Sequence, residues 1–234
     1  LHSTAWRLEN GYLVPLDTSI AVQMEAGNVE LIDVSPKNSF KNVQVAGFIE
    51  AEIVKGAKLQ VLTNDSERLD IRVSGSTLKI SNKSQALRPG NTKAVKVKIY
   101  MPTVGEIDVA GLSSVSLSGY TSGSLDAAVA GNSTFIMRNV SIDQLNIDLA
   151  GISTFEGDAS INKVRLKGAG ACNVRAFNME INDLNISLAG ACNADVNVKD
   201  KIKGSLTGAS NLKYKGAPTL DVSTSGASKV SSAN

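Results

Sequence analysis

The chain has 234 residues, long enough to bury a sizeable core, and its 24 Lys and Arg nearly balance 22 Asp and Glu, leaving a formal charge of +2. That balance lacks the basic footprint of a nucleic-acid binder, so nucleic acid is not an expected partner. No apolar run approaches the ~18 residues of a membrane-spanning helix, so the chain is not expected to cross a membrane; aromatic residues are only 4 %, so its apolar residues suit thin, layered cores.

The chain begins at Leu1 with neither an initiator Met nor a basic, apolar signal segment, and the expectation is that a leader has been removed. His2, the single histidine, lies beside that terminus, which leaves no candidate for histidine acid–base chemistry. Further on, Val43, Val45, Ile49, Ala51, Ile53, Leu59 and Val61 alternate with polar residues, a half-buried strand pattern. "LDIRVSGSTLKIS" places a Ser-Gly turn between two alternating runs and predicts a hairpin. "NKSQALRPGNTK" (Asn82 to Lys93) is a loop by its Pro-Gly and polar content, and "KAVKVKIYMP" is a strand leading into a regular region.

From Ala110 the sequence repeats. Aligned on glycine, it reads AGLSSV, AGNSTF, AGISTF, AGACNV, AGACNA, TGASNL and SGASKV, with Gly111, Gly131, Gly151, Gly170, Gly190, Gly208 and Gly226 spaced by 20, 20, 19, 20, 18 and 18 residues. Two positions after each glycine stands Ser113, Ser133, Ser153, Cys172, Cys192, Ser210 or Ser228. Four positions after it stands an apolar or small residue: Val115, Phe135, Phe155, Val174, Ala194, Leu212 or Val230. Period-two alternation leads up to each glycine, as in Leu145, Ile147 and Leu149, and no helical period intervenes. A repeat of this length without a helix predicts an all-β solenoid, a parallel β-helix with coils of about 18–20 residues stacked at about 4.8 Å. Glycine then marks a corner where a Cβ would obstruct the neighbouring coil, and the Ser or Cys fills the space inside it. The predicted division is 1–104, an irregular β region capping one end and continuous with the rest, and 105–234, the regular coils.

Counting back from the glycines gives the outward positions. The fifth preceding are Glu106, Asp126, Asn146, Arg165, Asn185, Lys203 and Asp221; the third preceding are Asp108, Ala128, Asp148, Lys167, Ser187, Ser205 and Ser223. Glu106, Asp108, Asp126 and Asp148 therefore form a candidate ligand face on neighbouring coils, suited to Ca²⁺ or a basic partner; the alternative is a solvated face of weak ion pairs. Cys172 and Cys192 fall at one repeat position in adjacent coils. Their parallel Cβ vectors predict free, buried and poorly reactive thiols. Asn173, Asn193 and Asn211 fall on a further ladder in which amides can bond along the axis. "VSGSTL" and "GAGACN" lack the lysine and strand-to-helix setting of a phosphate loop. No cofactor, metal site or catalytic cluster is expected.

The stretch "SFKNVQVAGFIEAEIVKGAKLQVLTNDSERLDIRVSGSTLKISNK" followed by serial small-Gly units resembles the putative auto-transporter adhesin, head GIN domain family of Bacteroidetes. The resemblance covers residues 38–234. Where that family's corner often reads Ser-Gly-Ser-Gly-Asp, this chain has Ala-Gly-Ala-Cys-Asn at Ala169 to Asn173 and at Ala189 to Asn193. The resemblance implies a right-handed β-helix, export to the cell envelope, at the outer surface or in the periplasm, and no catalytic residues. The expected function is a non-enzymatic surface module with a protein or glycan partner; the alternative is a carbohydrate-active β-helix of the polysaccharide lyase, hydrolase or glycan-binding kind, since fold alone does not decide activity.

Overall fold

A computed structural model describes residues 31–83, 93–121 and 123–234, together with the backbone at 5–9, 12–16, 21–23 and 30. His2 and most of the loop after Asn82 lie outside the described residues. Every regular element described is a strand. Near the N-terminus β1 (Ala5–Glu9) pairs antiparallel with β2 (Tyr12–Leu16), and β3 (Ala21–Gln23) with β4 (Glu30–Asp33).

The alternating segments that follow are β5 (Asn42–Gly47), β6 (Ile49–Lys55), β7 (Gln60–Thr63), β8 (Leu69–Ser74), β9 (Thr77–Asn82), β10 (Val95–Met101), β11 (Glu106–Gly111), β12 (Ser114–Ser118) and β13 (Ser124–Val129). The β8–β9 hairpin forms as predicted, closed at Ser74↔Thr77 around Gly75. Beyond them the chain runs almost without interruption through β14 (Thr134–Gly151), β15 (Thr154–Gly170), β16 (Asn173–Gly190) and β17 (Asn193–Gly208), then β18 (Asn211–Lys215), β19 (Thr219–Thr224) and β20 (Lys229–Ser232). Strands of 16 to 18 residues are too long to stay in one flat sheet. They bend where pairing slips, between Arg138 and Val140, between Glu156 and Ser160, and between Ala176 and Ile181. Each long strand therefore wraps around the core, and its parallel neighbour wraps directly above it.

The result is the β-solenoid expected from the repeat. Phe135, Phe155, Val174, Ala194, Leu212 and Val230 align rung on rung, as do Leu145, Val164, Leu184, Ile202 and Leu220. One middle coil turns Val174, Ala176, Met179, Ile181, Leu184, Ile186 and Leu188 inward, all essentially inaccessible to solvent. Burying each larger side chain contributes roughly 1.5–3 kcal/mol, and the Phe135 and Phe155 rings add a stacked pair with centroids 5.9 Å apart.

Chain order and spatial order part company at the N-terminal end. On the strip leading into the corner the order is β8, β9, β5, β11, β13; on the strip leaving it the order is β7, β10, β6, β12, β14. The coil β5–β6 is thus sandwiched between β9–β10 and β11–β12, and the in-register parallel pairing reaches back to Asn42, well before residue 105. Antiparallel pairing continues outward at this end, with β8 on β9 and with β7, β4 and β3 in turn beyond β10, and Val61 and Leu69 of these strands join the core. At the other end β19 pairs with β17 and β20 with β18, and Leu220 is 43 % exposed.

Candidate binding faces

The repeated corner is built from glycine because neighbouring backbones touch there. Gly190 has a φ of 108°, and a Cβ added to it would lie 2.4 Å from the carbonyl oxygen of Gly170. That same carbonyl accepts the amide of Ala191 at 2.7 Å. The buried serines satisfy their hydroxyls in this place too: Ser113 Oγ donates to Gly47 O at 3.0 Å, Ser133 Oγ to Gly111 O at 3.1 Å and Ser210 Oγ to Thr207 O at 3.0 Å. A short polar side chain at this point is both small enough for the corner and able to find an acceptor. Ser113, Ser133, Ser153, Cys172, Cys192 and Ser210 are buried, whereas Ser228, on the last coil, is half-buried.

The expectation of free thiols is overturned. Cys172 and Cys192 form a disulfide, with Cα atoms 4.5 Å apart, within the range a bridge spans. Gly168 makes the bridge possible despite the parallel rungs. It stands on the ladder between Leu149 and Leu188, and a Cβ there would fall 2.5 Å from Cys172 Sγ and 2.8 Å from Leu188 Cδ2. The missing side chain leaves room for the two sulfurs to turn toward each other inside the corner.

The strip leading into the corner displays its outward side chains as ladders, and the acidic candidates occupy its N-terminal part. Glu106 stacks on Asp126, but Asp108 and Asp148 are separated by Ala128. Most already have partners: Asn42 Nδ2 donates to Glu106 at 3.2 Å, Asn146 Nδ2 to Asp126 at 2.7 Å, and Lys167 Nζ lies 3.8 Å from Asp148. Asp108 is half-buried; desolvation pushes its carboxyl above the usual value, and the Lys79 ammonium partly offsets this. Among the described residues no group of three or more His, Cys, Asp or Glu is placed to hold a metal ion. On the neighbouring strip Asn211 Nδ2 bonds Asn193 Oδ1 at 3.0 Å, along the ladder that also contains Asn173.

Further along, the same strip turns basic and recessed. An open groove of about 430 Å³ crosses β14 to β17, with Lys163 and Arg165 on one rung and Lys201 and Lys203 two rungs away. Asp183 and Asn185 lie between them, in the registers Lys163↔Asp183↔Lys201 and Arg165↔Asn185↔Lys203. Arg165 and Lys203 stand at the outward positions counted from the glycines, whereas Gln144, Lys163, Asp183 and Lys201 fall outside that count. These stand seven positions before their glycines, so carrying the same count two residues further would have found them.

The family model described as "Putative auto-transporter adhesin, head GIN domain" matches residues 39–218. The chain belongs to that family. Its fold is similar to the crystal structure of a putative adhesin from Bacteroides fragilis NCTC 9343, with a TM-score of 0.77 at 20 % identity over 86 % of this chain and 96 % of that one. A putative lipid binding protein from Parabacteroides distasonis ATCC 8503 gives a TM-score of 0.67 at 19 % identity over 87 % and 97 %. A putative adhesin from Parabacteroides merdae ATCC 43184 gives 0.64 at 15 % over 87 % and 95 %. At these identities the likeness is one of fold. No curated protein matches the chain.

Proposed function

We propose that this chain is a non-enzymatic module of the cell surface or envelope that binds a partner through the outward face of its solenoid. The observation that carries the reading is the ladder geometry. In-register coils hold side chains of successive rungs at one spacing along a stiff face, so weak contacts add along the axis instead of converging on one enclosed reaction centre. Family membership supports the adhesive role. The buried Cys172–Cys192 bridge supports export, because such bonds persist in oxidising compartments. The pairing of Glu106, Asp126 and Asp148 with neighbouring Asn and Lys side chains argues against their serving as a free acid–base pair.

The test is a binding panel of immobilised matrix proteins and glycans run beside a turnover assay on polyuronides. Saturable binding without turnover is the expected result. Cleavage of a polyuronide that is abolished by Asp126→Asn or Asp148→Asn would replace this reading with the carbohydrate-active one.

A further inference from the structure

We propose that the groove over Lys163, Arg165, Lys201 and Lys203 binds an acidic polysaccharide segment whose charged sugars alternate with neutral ones; this rests on the adhesive reading above and gives it a ligand class. The first support is unspent charge. Among the described residues none of these four cations makes an ion pair, whereas Lys167, next along the same strand, is held by Asp148. Against four cations the groove sets one carboxylate, Asp183.

The spacing supplies the second. The two cation pairs lie on alternate rungs, so they are about 10 Å apart, close to the length of a disaccharide repeat. Between them Asp183 and Asn185 are suited to neutral sugar hydroxyls: the carboxylate accepts and the amide both donates and accepts. Along the ladder the sequence is thus cationic, hydroxyl-binding, cationic. Arg165 adds a planar fork that matches a carboxylate or sulfate through two parallel hydrogen bonds.

The lining also discriminates between polyanions. It contains no aromatic side chain on which a base can stack. Duplex DNA carries a charge every ~1.7 Å of its axis, and so dense a line of phosphates meets Asp183 unfavourably. A bilayer surface gains from apolar side chains that insert, but Val164 and Leu184, the apolar lining residues, point into the core and are 3 % and 2 % exposed.

The experiment is calorimetry of the intact protein with hyaluronan oligosaccharides and unsulfated chondroitin oligosaccharides, both of which alternate a carboxylate-bearing sugar with a neutral amino sugar. Lys201→Gln with Lys203→Gln is compared with Lys213→Gln with Lys229→Gln, an equal charge change on exposed residues of the neighbouring strip. The expected result is binding of one or both glycans that weakens with salt and falls at least about tenfold in the groove variant, with little change in the control. Equal losses in both variants, no binding of either glycan, or binding only of a mixed-sequence DNA duplex or of phosphatidylserine vesicles would overturn the proposal. The same proteins are applied to immobilised matrix proteins. Adherence retained without acidic-glycan binding overturns the groove alone; loss of both overturns the adhesive reading with it.

Discussion

The two ends of the solenoid solve the same problem differently. A stack of parallel coils leaves a row of unpaired backbone groups and a cross-section of core at each end. At the N-terminal end the chain lays down β5–β6, leaves to build β7 through β10 outside it, and returns to β11 on the inner side, so antiparallel strands cover the last parallel rung and their Val61 and Leu69 close the core. At the C-terminal end β19 and β20 meet one neighbour each among the described residues, and Leu220, Val222 and Val230 remain partly open to solvent. Between them, middle coils are supported on both sides. The same repeat unit should therefore be rigid in the middle and forgiving at the last coil, which teaches that the stability of this fold lies between coils as much as within them.

A matched pair of substitutions sharpens that contrast. Gly190 and Gly226 have positive φ values of 108° and 73°, and a Cβ at either would lie 2.4 or 2.6 Å from the carbonyl of the preceding corner glycine. Gly190→Ala has coils on both sides and is expected to cost about 2–4 kcal/mol. Gly226→Ala, on a coil free to shift outward, should cost about 1 kcal/mol. Denaturant midpoints of the two variants decide the matter, and equal losses would mean that the last coil is held as firmly as the middle.

A smaller effect tests the crowding near the N-terminal end. The carboxyl of Asp108 titrates above the ordinary 3.8 because burial disfavours its charged form. Between 3.8 and its raised native value the folded state holds more protons than the unfolded state, so stability falls as pH rises through that window and the loss is fully present at pH 7. Asp108→Asn should therefore raise the melting temperature slightly at pH 7, and the gain should vanish once the pH drops below the unfolded value. A gain independent of pH would assign the effect to packing instead.

The regular coils were legible because one glycine, one Ser or Cys and one apolar residue recur at fixed offsets, and in-register stacking makes every offset a ladder. The earliest corner was not. Gly47 stacks on Gly111, yet its following positions carry Ile49 and Ala51 in place of serine and a large apolar residue, so the motif is masked. Nor does anything local mark the sandwiching of β5–β6, since the pairing Asn42↔Glu106 joins segments distant in sequence. The Cys172–Cys192 bridge was hidden for a different reason. Rung spacing argued against it, and the deciding feature was Gly168, a glycine where adjacent coils have leucine. For the binding face, charge sign along the ladders was readable, but the recess that gathers Lys163, Arg165, Lys201 and Lys203 depends on how the coil bends.

The central claim is that successive coils stack in register so that equivalent residues face one another across a single rung, and Cys172 and Cys192 report on it directly. Protein secreted into an oxidising compartment, unfolded without reductant, alkylated and digested should yield one cross-linked species joining the Cys172 and Cys192 peptides and no alkylated cysteine by mass spectrometry. A crosslink between chains, Cys172 to Cys172 or Cys192 to Cys192, would contradict the register on which the solenoid face and its proposed ligand both rest, whereas two alkylated cysteines would contradict the bridge alone.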